Sequence, residues 1–149
     1  MTRQWGSREE IDAHVFEEYG RTTFELQRLE FALERLVAQS GTSPERPKTT
    51  DASAWVAWID SREVRRATPG NKLKSVPLDR DLKDEVESLL ERRHEFAHEL
   101  LLAGRDSPPH FDPALARERI ANMRSLAADA RGLSERLTEE WTVRVRSQR

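Results

Sequence analysis

The chain has 149 residues, 25 Lys and Arg against 27 Asp and Glu, a formal net charge of -2 and no cysteine. That length suits one domain spanning 1–149 with its own core, and the absent thiols exclude disulfides, thiolate metal sites and a cysteine nucleophile. Balanced charge excludes a globally basic nucleic-acid surface; with "LLLA" at 100–103 as the longest aliphatic run and no signal-like apolar start, the expectation is a soluble, cytoplasmic protein without a membrane partner.

Ser7 followed by Glu10 has capping-box spacing. Ile11, Val15, Thr22, Leu26, Leu29, Leu33 and Leu36 then recur mostly at steps of three and four, which predicts a long helix ending near Ser40-Gly41. Phe16, Phe24 and Phe31 form a second row on another side of it, and apolar residues on two sides require central burial or a partner. "GTSPERPKTT" (41–50) reads as a loop, residues 51–67 with Trp55, Trp58, Ile59 and Arg62 as a shorter helix, and "TPGNK" (68–72) as its break. A third helix runs from about Asp79 to a glycine stop at Gly104, with Leu82, Val86, Leu89, Phe96 and Leu100 as its inner row.

Asp112-Pro113 is a cap followed by the residue best tolerated at the first helical position. It opens a last long helix whose inner face is Ala116, Ile120, Met123, Ala127, Ala130, Leu137 and Trp141, with Gly132 as a weak point and "WTVRVR" as frayed helix. No strand pattern of useful length and no repeat interrupts this. The predicted fold is all-α, an up-and-down bundle of three long helices and one or two short ones. The four tryptophans are assigned to packing, the basic "REVRR" (62–66) and "RVRSQR" (144–149) to solvated helix ends. His14, with Glu10, Glu17 and Glu18 at helical spacing, is read as part of a solvated acidic face in preference to half of a metal site.

The stretch "ERRHEFAHELL" (91–101) carries the chemistry. In the row Leu82, Val86, Leu89 the next position is Arg93, and a guanidinium there should open onto a cleft, a partner or an anionic ligand, or else snorkel to the surface or pair with an acidic residue on another helix. His94 and His98, about 40° apart on the helix, with Glu95 beside them, have the H-E-x-x-H spacing of zinc peptidases. That reading needs a third ligand, for which Glu118 and His110 are the candidates, and such enzymes hold their substrate on a sheet edge that this sequence does not encode.

Arg93, then His94, then Glu95-Phe96-Ala97, then His98 resembles the R-x4-H motif of the HEPN superfamily, in the "R-N-x-L-A-H" version, with His94 where asparagine is usual. "LQRLEFALERLV" (26–37) is similar to the first-helix phrase of related bacterial proteins, and "TPGNKLKSV" (68–76) to the glycine-containing turn before their motif helix. The resemblance implies a HEPN-like helical domain and a metal-independent endoribonuclease of toxin–antitoxin or phage-defence type, with no cofactor. Arg93 would hold phosphate oxygens and His98 move protons as a 2′-hydroxyl attacks the adjoining phosphate, His94 lining the same cleft. It further implies a homodimer through the motif helix, an RNA substrate and an antitoxin partner. The alternative within the same family is a non-catalytic dimerisation or partner-binding module that keeps Arg and His as an inter-helix polar network.

Overall fold

Ser7 and Glu10 start the first helix much as their spacing requires. Ser7 Oγ accepts the Glu10 amide at 3.3 Å, while the Glu10 carboxylate takes the amide of Gly6 at 2.7 Å, one residue earlier than a reciprocal box would place it. A computed structural model describes residues 4–39, 49–60, 69–103 and 111–148. The elements are α1 (Arg8–Gln39), α2 (Ala52–Asp60), α3 (Pro69–Ser75), α4 (Arg80–Ala103) and α5 (Pro113–Ser147), with no strand among the described residues. Among the described residues the architecture is an all-α bundle with three long helices and two short ones.

Each start has a local cause. Asp51 Oδ1 accepts the Ser53 amide at 3.1 Å ahead of α2, and Asp112 Oδ1 accepts that of Leu115 at 2.9 Å with Pro113 next in line, so α5 is capped as predicted. Within "TPGNK" residues 69–72 are helical, while Thr68 and the end of the preceding helix lie outside the described residues. Pro69 begins the short helix α3, because a proline at the first helical position loses no hydrogen bond and Leu73 and Val76, both buried, tie the segment to the core. Gly132 does not interrupt α5, which continues through "WTVRVR" to Ser147. The expected glycine stop at Gly104, the candidate ligand His110, residues 61–67 and the side chains of Trp55, Trp58, Ile59 and Leu100 lie outside the described residues.

The direction of the helices follows from their cross-links. Glu18 with Arg124 and Glu25 with Arg131 are both separated by 106 residues, so α1 and α5 run parallel. Glu85 meets Arg136 at 2.5 Å and Arg92 meets Asp129 at 2.5 Å, so α4 runs antiparallel to α5 between them. The long helices therefore go up, down and up.

Along α1 the row Ile11, Val15, Glu18, Thr22, Glu25, Leu29, Ala32, Leu36 is buried throughout and alternates steps of four and three. Its counterpart on α5 is Ala116, Ile120, Met123, Ala127, Ala130, Ser134, Leu137, Trp141, buried or partly buried at the same steps. A repeat of 3.5 residues on both helices is the condition for two helices to stay in contact by coiling round each other. Leu29, Leu33, Leu36, Leu73, Leu82, Val86, Leu89, Leu126, Leu133 and Leu137 fill the main core, and Ile11, Val15, Phe111, Ile120 and Met123 a second one at the α1–α5 starts. Phe96 of α4 packs against both clusters and joins them.

Candidate functional site

α4 places Arg93 where the buried row Leu82, Val86, Leu89 would next reach α1. Its guanidinium meets Glu30 of α1 through Nη2 and Oε1, as an ion pair without hydrogen-bond alignment, and both side chains are partly exposed. One turn on, Phe96 lies against Tyr19 of α1 with ring centroids 5.1 Å apart. Arg93 thus belongs to the α1–α4 contact.

His94 and His98 are exposed, and their rings meet edge to face with centroids 5.0 Å apart, as expected of residues one turn apart. His94 lies about 100° and His98 about 140° round the helix from Arg93, and no described contact joins Arg93 to either imidazole. The structure therefore brings His94 and His98 together, while the charge of Arg93 is taken up on α1. Chemically the imidazole pair presents ring nitrogens to solvent that can donate and accept hydrogen bonds. Among the described residues no third His, Asp or Glu completes a metal-binding group with them, and Glu118 is exposed in the first turns of α5.

The polar residues buried most deeply lie elsewhere, between α1 and α5, and the solvated acidic face expected around His14 is corrected here. Glu10 and Glu17 are exposed, but His14 and Glu18 are buried because they fall on the α5-facing side of the heptad row. The Trp5 indole donates to His14 Nδ1 at 3.1 Å, and His14 Nε2 lies 3.7 Å from Glu18 Oε1 and 3.5 Å from Arg124 Nη2. Arg124 donates through Nε and Nη2 to Glu18 Oε1 at 3.0 and 2.7 Å. One heptad further, Arg131 donates to Glu25 Oε1 at 3.2 and 2.9 Å, and Arg28 to Glu25 Oε2 at 3.3 Å. Between these two ties Thr22 is fully buried, its hydroxyl 2.8 Å from the Glu18 carbonyl and 3.2 Å from that of Met123.

Burial opposes ionisation of Glu18, but hydrogen bonds from Arg124 and the charges of Arg124 and Arg21 outweigh it and hold the carboxyl below its ordinary value of 4.5. The Glu18 hydrogen bonds in turn raise the Arg124 guanidinium above its usual value. Each arginine shields its buried carboxylate from solvent while keeping its own outer edge exposed, so this network acts as an inter-helix fastening.

The sequence reading places Glu18 on a solvated face and does not single out Glu25 or Glu30. For the first two a signal existed: counting four and three from Ile11 and Val15 lands on Glu18, Thr22 and Glu25 before Leu29. For Glu30 there was none, since which residue of α1 faces Arg93 depends on how α4 lies against it. A comparison with protein-family models, with characterised proteins and with solved structures finds no significant match to this chain.

Proposed function

We propose that this chain is a HEPN-like helical interaction module in which Arg93 ties the motif helix to α1 and does not bind phosphate. The observation that carries this reading is the Arg93–Glu30 ion pair. A guanidinium already neutralised by a carboxylate on the neighbouring helix must give up that partner before it can meet a phosphoryl oxygen, and Glu30 then repels the incoming anion. The Glu18–Arg124 and Glu25–Arg131 ties support the same reading, because they show polar and charged groups spent on joining helices.

One observation favours a second reading, the metal-independent endoribonuclease of toxin–antitoxin or phage-defence type. His94 and His98 stand exposed and adjacent, as groups that exchange protons with a bound RNA must. That reading requires Arg93 to leave Glu30, or a second subunit to bring its own arginine to the imidazoles.

Incubating total RNA in EDTA with wild type, Arg93→Ala and His98→Ala separates the two. The interaction module predicts that none of the three cuts RNA beyond a buffer control. Cleavage by the wild type that both substitutions abolish, with helicity unchanged, would overturn it in favour of the ribonuclease.

A further inference from the structure

The helix-joining role of Arg93 leaves His94 and His98 unused, although α4 presents both to solvent one turn apart. Packing does not account for them. The buried row Leu82, Val86, Leu89 lies about 130° round the helix from the imidazoles. The cations beside them are turned to other helices, Arg92 to Asp129 of α5 and Arg93 to Glu30 of α1. What shares their strip is acidic: Glu87 and Glu91 fall within about 60° of His94 and Glu95 at about 100°, and all three are exposed.

The spacing of the two rings suits one metal ion. An imidazole nitrogen binds such an ion at about 2.0–2.1 Å, which puts each ring centre about 3.2 Å from it. Two rings then have centres about 4.5 Å apart at a right angle and about 5.2 Å apart at a tetrahedral one. The observed separation is 5.0 Å. Both rings are exposed, so turning a nitrogen of each toward the ion requires a side-chain rotation and no movement of the helix.

We propose that His94 and His98 form a two-imidazole site for a borderline divalent cation, of the class of Zn²⁺ and Cu²⁺. Nitrogen donors select these ions over Mg²⁺ and Ca²⁺, which take oxygen ligands. Among the described residues no third His, Asp or Glu joins the pair, so water fills the remaining positions and the ion exchanges with solvent. The carboxylates of the strip draw the cation in by charge without ligating it. The site stands apart from the interaction module, since neither imidazole takes part in the contact between α1 and α4.

Calorimetric titration of the untagged full chain, freed of metal by a chelator that is then removed, tests this. Zn²⁺ is expected to bind one ion per chain, Cu²⁺ more tightly, and Mg²⁺ not at all. His94→Ala and His98→Ala, both at exposed helical positions, are each expected to weaken Zn²⁺ binding at least ~10-fold with helicity unchanged. Should alanine disturb the helix, the glutamine variants His94→Gln and His98→Gln give the same reading. Zn²⁺ should also raise the melting temperature of the wild type and of neither variant, because the two rings stand together only while α4 is helical. A wild type that takes up no Zn²⁺ at about 1 mM overturns the proposal. So does Zn²⁺ binding that survives both substitutions. Neither result depends on whether the chain cuts RNA, because binding is read without it.

Discussion

Glu18 is the residue at which burial and charge compete most sharply. Its folded carboxyl titrates below its ordinary value, so the stability it contributes is present above about pH 4.5 and is lost as pH falls through the lower, folded value. Glu18→Gln should therefore cost about 2 kcal/mol at neutral pH, where a buried acceptor of charged hydrogen bonds is lost. In acid below the folded value it should cost almost nothing. Urea unfolding of both proteins at two pH values measures the difference, and an equal cost at both would show that Arg124 does not hold the carboxylate ionised. The Arg93–Glu30 pair is more exposed, and a double-substitution cycle with Arg93→Ala and Glu30→Ala should give a coupling under about 1 kcal/mol. Serving as a tie, Arg93 sets which face of α4 meets α1 more than it adds stability.

At the scale of a helix, α5 contains its own contrast between a cap that helps and a glycine that does not. The Asp112 side chain holds the amide of Leu115, and Asp112→Ala should cost about 1 kcal/mol. Gly132 is exposed, and a Cβ placed there meets nothing within 4 Å. Gly132→Ala should accordingly raise stability by up to ~1 kcal/mol, since it removes backbone freedom from the unfolded chain without a steric penalty. Opposite shifts in melting temperature for the two variants are the expected result. A destabilised Gly132→Ala would instead reveal something packed on that face. The hydroxyls of Ser134, Thr138 and Thr142 each return to the carbonyl four residues earlier, at 2.8, 2.8 and 2.9 Å, which lets polar residues sit along a helix without leaving donors unmet.

For the molecule as a whole, the parallel α1–α5 pair is the frame and α4 closes one side of it. Leu29 is 1% exposed at the middle of that frame, and Leu29→Ala should lower stability by about 3 kcal/mol through lost burial and the cavity left behind. Because Phe96 packs on both apolar clusters, unfolding should remain a single transition, with a lower urea midpoint and an unchanged slope. Two separate transitions would mean that the end cluster, Ile11 to Met123, melts on its own.

The amino-acid sequence by itself determined the helices. Capping residues, prolines and steps of three and four placed α1, α4 and α5 within a few positions, because these signals act between residues close along the chain. It also showed a second apolar row on α1, Phe16, Phe24 and Phe31, that needed explaining. Only the tertiary structure decided that α1 and α5 run parallel in register, that Glu18 and Glu25 lie inside under arginines, and that Arg93 faces Glu30 while His94 and His98 face solvent. Those outcomes depend on which faces of separate helices meet. The sequence holds the charges, but the partner of each is chosen by packing residues dozens of positions away.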